Sequence, residues 1–388
     1  MMKKIICTVA MLALCLSAIW FPNDYDSYAA EISTKDVKSI KALKVLNDEE
    51  YVSIESNKVS PESLAAAEKK MLNKADAAVL YYNNGEPLDV SEIVTYEEDN
   101  DPSMNNSEAI RKADEEQLRQ ECEAAGYDYV NDGYRSVKTS VFGVYVYKSG
   151  LGDAERVILS SNGETMNVSE IQDSIKASIE NADKYRASVS TLATNQTNYK
   201  HYDETVTYKE GNVTVARLVR NLHIKEYGNK ATHNSKDAKM WDVEAVIQVE
   251  TFEGRRIVNK YVWLNTNKSG QHLSDYTPMG DTGGMTSYNL SFSANGPNPS
   301  LSVNMGGTYS RTDMSSITGK YGKWKYYTST GLMKKKLTTK SAIKTVCTSN
   351  SVVFKDKAEI TVKHLVGKAY HSTTYTFGPS TWTFKNNI

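Results

Sequence analysis

Apolar and polar positions repeat with two different periods along this chain, and the change between them divides it. In the first half the period is close to 3.6. Ser60 and Pro61 offer an N-cap hydroxyl and a first-turn proline, and Leu64, Ala67, Met71, Ala75 and Ala78 then follow on one face, which predicts a helix. A second helix is predicted from Asn106 or Ser107 to Ala125, stopped by Gly126, with Ile110, Leu118 and Cys122 on its buried side. Asn167 and Glu170 have the spacing of a capping box, ahead of Val168, Ile171, Ile175, Ile179 and Ala182 in register. Between the last two helices, Val137 to Tyr147 and Val157 to Leu159 read as strands of a small sheet, with Asn162-Gly163 as a tight-turn signature.

Ser188 to Tyr202 holds little to bury and reads as a polar linker. Beyond it the period falls to two. Trp241, Val243, Ala245, Ile247 and Val249 alternate with Asp242, Glu244, Gln248 and Glu250, Glu253-Gly254 turns the chain, and a strand from Ile257 to Leu264 follows. Ala358, Ile360 and Val362 alternate with lysine, glutamate and threonine, and the chain ends on Tyr375 to Phe377 and Trp382 to Phe384. The expected fold class is therefore α+β: a mixed α/β domain over 31–187, a linker over 188–202, and an all-β antiparallel domain over 203–388, built as a sandwich or an elongated sheet.

The most regular alternation lies between Tyr288 and Tyr309. Tyr288, Leu290, Phe292 and Ala294 face one way on the first arm, and Leu301, Val303 and Met305 do so on the second. Serine and asparagine take the other face, and Asn295-Gly296-Pro297-Asn298-Pro299 carries the turn chemistry between them. Each arm has about nine or ten alternating residues, near the length that a tilted membrane-crossing strand needs. The same pattern also suits a hairpin lying half-buried on a soluble sheet.

Composition adds an address. Lys3 and Lys4 precede an apolar run from Ile5 to Phe21, and small residues close the segment at Ala29 and Ala30, the three parts of a secretory signal cleaved after one of these alanines. A retained membrane anchor is disfavoured by Pro22 and Asp24, and lipidation at Cys15 by Leu14, which stands where a small residue belongs. Of four cysteines, Cys122 and Cys347 remain in the mature chain, which excludes a disulfide-dense scaffold. Both a bridge between them and two buried thiols fit.

Linear catalytic signatures are missing. There is no nucleophile elbow, phosphate-binding loop, zinc-protease helix or dinucleotide fingerprint, the six histidines are scattered, and no cofactor or metal is called for. Charge is more informative than motif. Met314 to Lys355 contains nine lysines and no Asp or Glu, whereas acids prevail about two to one in 31–125. Lys320, Lys323 and Lys325 interleave with Trp324 and Tyr326, and Lys334, Lys335 and Lys336 follow. Lysines with interfacial aromatics suit an anionic lipid or wall polymer better than nucleic acid. A plainer pattern also fits, with the aromatics in a core and the lysines on the opposite face. Three functions follow in order: a secreted, non-enzymatic protein binding an anionic surface through those eight residues, a β-hairpin pore former using Met285 to Tyr309, and a secreted hydrolase with a dispersed site.

Overall fold

The computed structural model describes residues 37–46, 49–73, 77–96, 102–148, 154–186, 198–227, 231–266, 268–290, 301–328 and 333–386. The expected export signal, positions 188–197 of the expected linker, and Phe292, Ala294 and the Asn295–Pro299 turn of the expected hairpin lie outside these residues. Strands dominate, in two sheets, with three α-helices among the described residues.

The first sheet has eleven strands. Its order is β1 (Val37–Leu46), β2 (Glu49–Ser56), β3 (Ala77–Tyr82), β6 (Ser140–Lys148), β7 (Ala154–Ser161), β8 (Asn198–Glu210), β9 (Val213–Glu226), β11 (Lys236–Thr251), β17 (Lys336–Cys347) and β13 (Gln271–Thr277), with β10 (Ala231–His233) paired to β11. Eight strands make the second sheet. They run β14 (Thr282–Leu290), β15 (Leu301–Asp313), β16 (Tyr321–Tyr327), β12 (Arg256–Asn265), β18 (Ser351–Val366), β19 (Ala369–Lys385) and β4 (Thr95–Tyr96), while β5 (Asp128–Val137) pairs parallel to β19.

This architecture corrects the expected fold class. A mixed α/β domain followed by a separate antiparallel one would confine each sheet to one part of the chain, but both sheets draw strands from both sides of the linker. The cause is a crossover. α3 (Val168–Arg186) carries the chain from β7 to β8, and these strands pair in parallel, so the first strand beyond the polar segment joins the sheet begun by β1. α1 (Pro61–Asn73) makes a similar crossover from β2 to the parallel β3. Residues 198–202, expected in the linker, are the start of β8. Asn162-Gly163 likewise does not close a hairpin, because β7 runs on towards α3 and pairs with β6 before it.

Helix boundaries follow the caps. Ser107 accepts from the Ile110 N–H at the start of α2 (Glu108–Ala124), and at α3 Asn167 and Glu170 exchange side-chain and main-chain hydrogen bonds. Alternation along β3 explains the layering. Val79 and Tyr81 join the large core shared with α1 and the second sheet, whereas Ala78, Leu80 and Tyr82 face the core beneath α3. The order through the molecule is thus α3, first sheet, main core, second sheet and finally α2, which packs over Tyr261 and Trp263.

Two polar contacts cross the main core between the sheets. Arg220 on β9 pairs with Glu204 on β8 and with Asp356 on β18, while the Trp382 indole donates to Asp356. Lys260 on β12 donates to the Ile247 carbonyl and to Thr339. Burial pushes the Asp356 carboxyl up to about 6 and the Lys260 amine well below its usual range. Cys122 and Cys347 are free buried thiols on α2 and β17.

Candidate functional site

The described part of the expected hairpin forms as β14 and β15, and its attachment is unusual. β14 is the last strand of its sheet. Among the described residues β15 pairs with β16 from Ser310 to Asp313 alone, so from Leu301 to Tyr309 its one ladder neighbour there is β14. Most of the hairpin is therefore held by side chains.

Its inner face carries Met285, Tyr288, Val303, Met305 and Tyr309, all buried in the main core. Thr286, Ser287 and Asn304 on the outer face are exposed. From Thr282 to Ser310 there is no acidic, basic or histidine residue. The ladder slips between Met285↔Tyr309 and Ser287↔Asn304, which leaves extra residues on β15 in the manner of a bulge. Gly306 lies in that slip with φ at +72°, and a Cβ there would stand 3.1 Å from the Lys336 carbonyl.

Below the hairpin lies an open strand edge. β13 pairs with β17 as far as the Thr277↔Ala342 pair, and among the described residues no strand pairs with the preceding part of β17 on that side. Tyr288 fills the gap with one hydroxyl, which donates to the Lys340 carbonyl and accepts from the Lys340 N–H. The Tyr309 hydroxyl donates to the Ile257 carbonyl at 3.3 Å, and the Tyr288 ring stacks on Tyr326. Burial drives all three phenols upward, Tyr309 and Tyr326 to about 12.

Of the eight residues singled out for surface binding, Trp324 and Tyr326 are fully buried in the main core, and Trp324 donates its indole N–H to the Pro278 carbonyl. Lys323 and Lys325 take the opposite face of β16. That face is covered: Lys325 pairs with Asp114 of α2, and Lys323 lies over the rings of Trp263 and Tyr261. Desolvation lowers the Lys323 amine to about 8. Lys320 reaches the Lys268 carbonyl at 3.3 Å. Of the eight, only Lys334, Lys335 and Lys336 are exposed, and they flank the hairpin, since a Cβ on Gly307 would meet Lys334 Cγ at 2.6 Å.

His364, expected as a hydrogen-bonded core residue, is half-buried near the end of β18, with Nδ1 lacking a hydrogen-bond partner. Among the described residues no cluster of His, Cys, Asp or Glu could hold a metal ion, and no helix is long and apolar enough to cross a membrane.

No family model and no curated protein matches the chain. Among solved structures, the Clostridium perfringens delta-toxin is similar over 49% of this chain and 93% of its own, at 7% identity and a TM-score of 0.30. A structure titled "Pore forming protein" is similar over 48% of this chain and 91% of its own, at 7% identity and a TM-score of 0.25. The Clostridium perfringens NetB toxin in the membrane inserted form covers 48% and 95%, at 7% identity and a TM-score of 0.19. At TM-scores of this size these likenesses carry no functional inference.

Proposed function

We propose that this protein is a pore former that inserts the β14–β15 hairpin into a lipid bilayer. The observation that supports this reading is the hairpin itself: an uncharged, alternating pair of strands joined to its sheet by one short ladder. Five inward side chains hold it, each worth about 1.5–3 kcal/mol when fully buried. Release sacrifices that burial, and hydrocarbon restores it, because Tyr288, Val303 and Met305 would then meet acyl chains while Ser287 and Asn304 face water. The ladder between the two arms survives the exchange. A lone hairpin has two open edges, which hydrocarbon does not tolerate, so hairpins from several copies would close into a barrel.

The exposed Lys334, Lys335 and Lys336 beside the hairpin favour anionic lipid as the surface first met. Expectation of an export signal accords with a target outside the cell. The second reading, adhesion to an anionic surface without insertion, rests on the same lysines and separates from the first by leakage. The test is a removable clamp. Gly307→Cys with Lys334→Cys places two Cβ atoms within disulfide reach across the hairpin and its seat. Oxidised protein should bind phosphatidylserine vesicles without releasing a trapped dye, and reduction should restore release. Equal leakage from both forms, or none from the unmodified protein, would overturn the proposal.

A further inference from the structure

Strand register brings four turns and the lysine triplet to one end of the molecule. Glu250 at the end of β11 sits between Arg217 of β9 and Lys336 of β17. Arg255, in the turn from β11 to β12, pairs with Glu210, the last residue of β8. Ile257 bridges to Lys334 and also pairs with Val362, close to the turn that joins β18 to β19. The Asp128 N–H donates to the Lys368 carbonyl, which adds Tyr127 and the start of β5 to the same corner.

Among the described residues five of the nine exposed large apolar side chains lie on this end, whereas Met279 and Ile317 are exposed elsewhere. Leu365 is 48% and Val366 51% exposed at the tip of the β18–β19 turn, and Val213 is 48% exposed at the β8–β9 turn. Tyr127 packs edge-on against Tyr370, beside the exposed Val130. Around them stand the exposed Lys334, Lys335, Lys336 and Lys368 with the half-buried Arg256, and the exposed carboxylates Glu253, Asp128, Glu164 and Glu123, the last paired with Arg119. Asp132 is engaged with His371, and Glu210 with Arg135 and Arg255. Valine and leucine together at a turn apex, with tyrosines behind them and lysines around them, match the layered polarity of a bilayer interface.

We propose that this end is the membrane-docking face, with Leu365 and Val366 entering the interface of an anionic bilayer and the lysines resting on its head groups. The inference builds on the pore-forming reading and names the surface that the protein meets before the hairpin moves. It also explains why the hairpin's neighbours Lys334 to Lys336 lie at that end. Docking needs no release of β14 and β15.

Flotation of the mature chain with phosphatidylcholine vesicles, with and without phosphatidylserine, tests it. Unmodified protein should bind the anionic vesicles and lose affinity as salt rises. Leu365→Ser with Val366→Ser should weaken that binding about 30-fold, on the scale of two half-buried aliphatic side chains, with an unchanged melting temperature. Val213→Ser gives a second reading at a separate turn, with a smaller loss. Binding by the double variant equal to the parent, or no binding of the parent to either vesicle, would overturn the proposal. Dye release from the same samples separates the two ideas. Binding without leakage would remove the pore and leave the docking face, and full leakage by the double variant would do the reverse.

Discussion

The Tyr288 hydroxyl satisfies both main-chain groups of Lys340, at the place where β17 has run past the end of β13. One side-chain oxygen thus stands in for a missing strand, and it belongs to the hairpin proposed to leave. Departure of β14 and β15 would uncover that edge.

Tyr288→Phe keeps the ring against Tyr326 and deletes the hydroxyl. Leaving two buried groups of Lys340 unsatisfied should cost about 1–3 kcal/mol, concentrated on the hairpin's seat. Amide hydrogen exchange should accelerate in residues 285–290, 301–309 and 336–341 and stay unchanged in β6 and β7. Vesicle leakage should be faster. Uniform acceleration throughout the chain would mean that the hydroxyl supports the whole fold and not the hairpin.

The core beneath β16 depends on a glycine. A Cβ at Gly322 would come within 2.2 Å of the Trp324 ring, which is buried and anchored to the Pro278 carbonyl. Gly322→Ala should therefore destabilise the protein by about 1–3 kcal/mol through overpacking, seen as a lower urea midpoint. An unchanged midpoint would show that the indole can move aside.

Two buried carboxyls make stability depend on acidity in an uncommon direction. Asp242 and Asp356 are each raised to about 6, first by burial, against the partial help of Lys344 and Arg220. In the unfolded chain both would titrate near 4. Between these values the folded state binds more protons, so their stabilising contribution is full below about pH 4 and is lost as pH rises through about 6. Asp242→Asn removes one ionisation. Its melting temperature relative to the parent should rise by several degrees between pH 4.5 and 7.5. A constant difference across that range would contradict the assignment.

Much of the hairpin was legible in the sequence, because a period of two marks a strand with one buried face whatever lies beneath it. Trp324 and Tyr326 against Lys323 and Lys325 were equally legible as two faces of one strand. What covers each face was not. The aromatics point into the space between the sheets, and the lysine face is roofed by α2 through Asp114, a residue more than two hundred positions away. Only Lys334, Lys335 and Lys336 of the eight are left exposed. Sheet membership was hidden for a related reason. Helix α3 had a readable pattern, but the parallel pairing of β7 with β8 joins strands on opposite sides of a polar segment and leaves no local mark. Leu365 and Val366 leave no mark in the sequence, because exposure at a turn apex is set by register and a short apolar pair carries no period.

Insertion of the hairpin can be read most directly by placing single cysteines at Thr286, Ser287, Tyr288, Val303, Asn304 and Met305 and labelling each with a polarity-sensitive dye. After addition of phosphatidylserine vesicles, labels at 288, 303 and 305 should report hydrocarbon and be quenched from within the bilayer, while those at 287 and 304 report water. Labels that remain in their soluble-state environments while the protein is vesicle-bound, or that change without alternating along the arms, would contradict the pore-forming account.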